Sequence, residues 1–383
     1  MRHRLLAVTL LLLWASNLCF ADYELVGTLY PLRWGQQEGS ADMVTPANVL
    51  GQPLCVRMGS PFGCKLRLQG GSSNVLGWKV SSARLVSRIS GQVYWTVTDP
   101  GVSNLISPSA TYWLPNIPSW VDYARLEMSF VIYYWGAWGP VYYLTPPYSS
   151  EEVFIVLDEP KVPMSPAWVS VLRYSCVWAR YLRSEVTVAD TLTSRLWENG
   201  IFVYSPTFAG YTTNHSDYGE VFHLKAFMDQ PSLRGQCNDL SDFLCVLMAS
   251  VGLSARSQRT YSISEFYTGD GDDDGRGWQI LTHVIDPAGS EVSVGRKLFV
   301  YHQFVTIYNG VWEPSFGFGN SNPPNLSLGW ARDSEYKQAL VDLFYHYESF
   351  DLIEVLRTDA PGNPWAPMPM VGFTPDVSTN NVP

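Results

Sequence analysis

Charge is scarce in this 383-residue chain: Asp, Glu, Lys and Arg make up 16% of it, acidic residues outnumber basic ones 35 to 25, and no basic stripe is present. That balance argues against nucleic acid as a partner, since such proteins cluster Lys and Arg to neutralise phosphates. Long apolar runs are lacking too. Beyond the N-terminus nothing approaches the about 20 consecutive apolar residues that cross a bilayer, so no membrane span is expected. Histidine and cysteine number six each and are scattered, which leaves no convincing ligand cluster for a metalloenzyme. No internal repeat is visible.

The apolar run that does occur is short and N-terminal. Arg2 and Arg4 precede an apolar stretch from Leu5 to Ala15, and Cys19-Phe20-Ala21 offers a small-x-small cleavage pattern before Asp22. These features describe a secretory signal peptide over residues 1–21, cut after Ala21. A lipid anchor at Cys19 fits less well, because bulky Leu18 stands where a small residue is needed. The expected location is secreted, periplasmic or at the cell surface.

Without that segment five cysteines remain: Cys55, Cys64, Cys176, Cys237 and Cys245. An odd number in an oxidising compartment leaves one thiol over. Cys55 and Cys64 flank a turn-rich loop (Gly59, Pro61, Gly63) that a disulfide could close, and Cys176 with Cys245 could form a second bridge, which singles out Cys237. Two buried thiols at 176 and 245 fit equally well. Cys237 and Cys245 cannot pair while both are helical, since eight residues of helix put them about 12 Å apart.

Aromatics are plentiful, with 15 Trp and 22 Tyr. Large cores and sheet faces explain this more simply than an aromatic binding groove does. Residues 22–160 read as β structure: runs such as 92–97, 125–134 and 152–157 are rich in Val, Ile, Tyr and Thr, and turn signals such as Asp99-Pro100-Gly101 separate them. Many short strands and no helical periodicity point to an all-β sandwich-like domain. The Pro-rich stretch from Glu159 to Pro166 marks its end.

Residues 161–358 change character. Helices are expected over 168–182 and 187–199, the latter stopped by Gly200, and over 236–251, where Leu240, Phe243, Leu244, Leu247, Met248 and Val251 recur at helical spacing before Gly252. Strands are expected over 256–262, 278–285 and 297–308, with Asn309-Gly310 as a hairpin turn. A last helix is expected over 334–347, and 359–383 read as a Pro- and Asn-rich tail. Helices followed by strands make this domain α+β.

The sharpest chemical signal is Gly235-Gln236-Cys237-Asn238-Asp239-Leu240 at the start of the third helix. A cysteine in a first helical turn sits at the positive end of the helix dipole, which favours the reactive thiolate. Gly235 permits close backbone approach, and the first-turn N–H groups can stabilise an oxyanion. An imidazole must come from elsewhere. His302 lies in the apolar strand Phe299–Val305, and Glu313 follows in Val311-Trp312-Glu313-Pro314, where a carboxylate on the next strand could orient the imidazole. His283, before Asp286-Pro287, competes with His302 for the role of base; His215, His223 and His346 read as surface or satisfied core residues.

Together, Gly-Gln-Cys-Asn-Asp-Leu, the apolar helix, Gly252-Leu253-Ser254-Ala255-Arg256, the strand histidine and the Trp-acid-Pro resemble the transglutaminase-like core over residues 165–320. The resemblance implies a papain-like fold and a Cys-His-Asp triad, with Cys237 matching the nucleophile, His302 the histidine and Glu313-Pro314 the place of Asp-Pro. Two departures stand out. The acid is Glu, and its interval from His302 is short. If Asn309-Gly310 is a two-residue turn, 306 faces 313 and 302 faces 317, which offsets Glu313 from His302 by four residues, about 13 Å.

Asp270, Asp272 and Asp274, with Gly275, have the alternating spacing of a Ca2+ loop, although Leu281 stands where an EF-hand has its bidentate Glu; a solvated acidic loop is the commoner explanation. Asn214 and Asn325 open Asn-x-Ser sequons. The resemblance implies acyl transfer or amide hydrolysis through a Cys237 thioester, with no cofactor required and peptide or protein substrates, cell-wall or matrix components among them. The alternative is an inactive domain serving as an extracellular binding or assembly module.

Overall fold

The computed structural model describes residues 21–33, 44–45, 50–68, 74–99, 104–136, 139–162, 164–198, 202–204, 211–215, 219–230, 233–261, 278–279, 283–285, 291–293, 298–299, 301–307, 310–312 and 314. Of the signal peptide expected over residues 1–21, residues 1–20 lie outside the described residues, as do Asp270, Asp272 and Asp274, Glu313, the helix expected over 334–347 and the tail expected over 359–383. Secondary structure is mixed, with strands dominating, and the chain divides into two compact units. Among the described residues no helix is long and apolar enough to cross a membrane.

The first unit takes in described residues 21–32 and 45–156. Its strands are β1 (Ala21–Gly27), β2 (Leu29–Tyr30), β3 (Leu54–Arg57), β4 (Phe62–Leu68), β5 (Val75–Ser87), β6 (Val93–Thr98), β7 (Thr111–Leu114), β8 (Asp122–Gly136), β9 (Gly139–Leu144) and β10 (Tyr148–Val156). One sheet has the order β1-β4-β7; the other has the order β2-β3-β10-β8-β5-β6, with β9 also on β8. Alternation makes the shared core. Ala124, Leu126, Met128, Phe130 and Ile132 of β8 pack with Tyr23, Leu25, Phe62, Leu66 and Leu114 of the smaller sheet. Burying each large side chain contributes roughly 1.5–3 kcal/mol.

On β5 the core positions switch from Trp78 and Val80 to Ala83 and Leu85. A bulge opposite Ser129 makes the switch, and Ser81 and Ser82 both meet the Ser129 hydroxyl, at 2.8 and 2.6 Å, so the irregularity leaves those hydroxyls satisfied. Aromatics fill this core: Tyr23 stacks on Phe130 at 3.6 Å between centroids, with Trp78 beside both.

The disulfide considered between Cys55 and Cys64 is not formed, nor is one between Cys176 and Cys245; all four are buried thiols. Strand geometry gives the reason for the first pair. Leu54 and Val56 share the inter-sheet core with Cys64, so Cys55 between them belongs to the opposite face of β3.

The second unit holds described residues 33 and 44 and those from 157 onward. Its elements are α1 (Val169–Trp178), α2 (Glu185–Glu198), β11 (Phe202–Tyr204), β12 (Thr212–His215), β13 (Gly219–Phe222), α3 (Leu224–Met228), β14 (Leu233–Gly235), α4 (Cys237–Ser250), β15 (Ala255–Tyr261), β16 (Trp278–Gln279), β17 (His283–Ile285), β18 (Glu291–Ser293), β19 (Leu298–Phe299), β20 (Tyr301–Ile307) and β21 (Gly310–Trp312). A three-stranded antiparallel sheet, β15-β20-β21, packs on α4 together with α1 and α2.

Helix α4 is the centre of this unit. Phe243 through Ala249 are each fully buried, so the helix is enclosed on all sides rather than on one apolar stripe. Its polar residues therefore need partners. Ser250 meets the Ser175 hydroxyl of α1 at 2.8 Å, and Ser175 Oγ also donates to the Leu247 carbonyl at 3.0 Å. The helix ends as its sequence asks. Gly252 takes φ +98°, its N–H donates to the Ala249 carbonyl and the Leu253 N–H to that of Met248, the two bonds of a Schellman motif.

Candidate active site

Cys237 is the first residue of α4, and Gln236, with extended backbone (φ −93°, ψ −178°), caps the helix. Gln236 is a weak cap by residue type, and Asp239 takes over part of that work. Its Oδ2 accepts the Gln236 backbone N–H at 2.9 Å, while Oδ1 accepts the N–H groups of Tyr211 at 2.6 Å and Thr212 at 2.8 Å. One carboxylate thus pins the helix start to the entry of β12. Gly235 makes this possible: a Cβ there would lie 2.7 Å from Asp239 Cβ and 3.1 Å from the Phe227 ring. Beneath lies an apolar floor in which Phe227 faces Phe243 at 5.1 Å and Tyr211 at 5.6 Å.

One turn further along, the polar network widens. Asp242 is buried; its Oδ2 accepts from Thr212 Oγ1 at 2.9 Å and its Oδ1 from Gln303 Nε2 at 2.8 Å. Gln303 Nε2 also donates to Ser257 Oγ of β15 at 2.5 Å, and Ser241 Oγ donates to the Gln303 carbonyl at 2.8 Å. Burial pushes the Asp242 carboxyl up to about 7, against the hydrogen bonds from Thr212, Ser257 and Gln303, and the nearby Asp239 charge adds to the rise. Asp239 is raised as well, because burial outweighs its backbone donors. Cys245 is held far above an ordinary thiol by burial and by Asp242, which makes it unreactive.

His302 lies in β20, paired in register with Thr260 of β15, and its chain neighbour Gln303 is the residue tied to α4. Ser241, which holds the Gln303 carbonyl, is four residues after Cys237, a rise of about 6 Å. The helix start carrying Cys237 and the strand carrying His302 therefore belong to one packed assembly. On β20 the Gln303 side chain reaches Asp242 of α4. Trp312, opposite Val305, donates from Nε1 to Asp190 Oδ1 of α2 at 2.8 Å. His283 lies elsewhere, on β17, which pairs with β18 in a separate two-stranded sheet.

The hairpin register expected from an Asn309-Gly310 turn is not the one adopted. Gly310 pairs with Ile307, Val311 with Thr306 and Trp312 with Val305. Gly310 is thus a rung of the ladder, and each partner is shifted by two residues from the expected pairing. A two-residue shift preserves which face each position occupies. Glu313 lies outside the described residues, as do Asp270, Asp272 and Asp274.

The cysteine motif includes Asp239 without giving it a role, and the sequence did not single out Asp242, Thr212 or Gln303. A signal was available: Ser241, Asp242 and Gln303 are polar positions inside otherwise apolar runs. A further polar group needs a role. Asn238, next to Cys237, is buried, and its Oδ1 has no hydrogen-bond partner among the described residues.

No family model matches this chain, and no curated protein matches it in sequence. Solved structures do: 41 chains match, among them the crystal structure of red sea bream transglutaminase, with 14% identity and a TM-score of 0.36, covering 73% of this chain. The chain spans about half of that protein, 48% of its length.

Proposed function

We propose that this chain is an extracellular cysteine acyl-transfer enzyme of transglutaminase-like type. The Cys237 thiolate attacks an amide carbonyl; the C–N bond breaks, the amine leaves and a thioester forms. His302 takes the thiol proton and returns it to the departing amine, then removes a proton from the incoming water or amine as the thioester is cleaved. Glu313 is proposed to orient the imidazole. The observation that carries this reading is the placement of Cys237 at the head of a 14-residue buried helix whose next turn binds the strand containing His302. First-turn N–H groups there are suited to an oxyanion. Substrates are proposed to be peptides or proteins of a wall, matrix or secretion.

Intact-mass analysis of peptide libraries, with and without a primary amine, tests it. Cleaved, deamidated or amine-linked products that vanish in Cys237→Ala support the reading; no product in any library contradicts it.

A second reading has its own support. The residue of β20 bonded to α4 is a buried, neutral glutamine, Gln303, held by Asp242 and Ser257, an arrangement that needs no reactivity. On that reading the unit is a non-catalytic binding or assembly module. Resistance of Cys237 to alkylation in the folded protein would favour it.

A further inference from the structure

We propose that Asp242 is a positioning residue for the site proposed above, fixing through Gln303 the strand that contains His302 against the helix that opens with Cys237. The inference rests on that reading of Cys237 and His302. Its geometry does not. Both Asp242 oxygens are engaged, one by Thr212 of β12 and one by Gln303 of β20, so a single side chain bridges the two strands beside the first turns of α4. Gln303 is held at three points: its amide by Asp242 and Ser257, and its carbonyl by Ser241. Only one peptide unit separates it from His302.

Apolar packing sets which face of the strand meets the helix. Directed hydrogen bonds fix one register. A buried carboxylate is an expensive way to fill space, since leucine at such a position avoids the desolvation penalty. What the carboxylate adds is direction toward two separate partners.

Among the described residues the groups facing Asp242 are Asp239 and Cys245 on its own helix, Thr212 on β12, Ser257 on β15 and Gln303 on β20, all acidic or neutral. That environment, with burial, keeps the carboxyl protonated well above the ordinary Asp range. The bridge survives in either form, because the Thr212 hydroxyl can turn from donor to acceptor. An asparagine can make the same two contacts, accepting from Gln303 and donating to Thr212. It is therefore the conservative rescue.

The test is the rate of iodoacetamide labelling at Cys237 in the full chain from pH 5 to 9, read by mass spectrometry. Asp242→Ala is expected to move the labelling midpoint upward by about one pH unit and to slow labelling at pH 6.5 about tenfold. Asp242→Asn is expected to stay within about twofold of the parent. Ser241→Ala, a milder cut that keeps Asp242 intact, is expected to shift the midpoint in the same direction by less, and it substitutes if Asp242→Ala does not fold. A parental midpoint in both Asp242→Ala and Ser241→Ala, while His302→Ala is slowed, overturns the positioning role and leaves the site standing. Equal shifts in Asp242→Ala and Asp242→Asn also overturn it, because charge rather than the bridge would then be responsible. No effect of His302→Ala overturns the underlying reading.

Discussion

Gln303 Nε2 donates to Asp242 Oδ1 across 2.8 Å, joining the strand that contains His302 to the helix that begins at Cys237. Both residues are buried, and the carboxyl is pushed up to about 7. This pair makes the second unit sensitive to pH in a defined direction.

An acid whose pKa rises on folding keeps its proton in the native state after the unfolded chain has lost it. The native state then binds more protons between about pH 4 and pH 7, so stability falls as pH rises through that window and levels off above it. For Asp242 the loss is on the order of 2–4 kcal/mol. Urea melts at pH 4.5 and 7.5 check this: Asp242→Asn should show a shallower loss than the parent. Equal losses in the two proteins would contradict the assignment.

Gly235→Ala should destabilise the unit by about 1–3 kcal/mol, because the added Cβ meets Asp239 Cβ at 2.7 Å and the Phe227 ring at 3.1 Å. Denaturant melts measure the loss. It should be accompanied by slower labelling of Cys237, since Asp239 is the group that pins the start of that helix.

Gly252→Ala combines a positive φ of +98° with a Cβ placed 2.7 Å from the Asp158 carbonyl oxygen. A cost of about 2 kcal/mol or more is expected. Folding yield and melting temperature read it, and a neutral result would mean the helix end is not held as described.

Asn238→Leu removes a buried oxygen that has no partner among the described residues and should leave stability unchanged or higher. If turnover falls in a variant that is at least as stable, the oxygen serves the site. If both fall together, Asn238 is structural.

Much of the second unit was legible in the sequence. The apolar periodicity from Leu240 to Val251 and the terminal glycine predicted α4 to within a residue at either end, because core spacing and a left-handed stop are local signals. Strand β15 was equally plain. The hairpin register was not. Asn309-Gly310 has the composition of a tight turn, but the ladder includes Gly310, and pairing across strands outweighs dipeptide preference. Cysteine parity suggested a Cys55–Cys64 bridge that the structure lacks, because counting cannot see that Cys55 lies on the far face of its strand from Cys64; at Cys176 and Cys245 the buried-thiol alternative is the one found. Asp242 and Gln303 escaped notice for a related reason: they are 61 residues apart, and neither belongs to a motif.

The most direct test of the central claim is native-state alkylation of Cys237 across pH, in the parent and in His302→Ala. The account predicts labelling confined to Cys237 among the five cysteines beyond residue 21, with Cys55, Cys64, Cys176 and Cys245 protected by burial. It also predicts a midpoint well below the ordinary thiol value of about 8.5, raised when His302 is removed. Slow labelling with an ordinary midpoint, unchanged in His302→Ala, would contradict it.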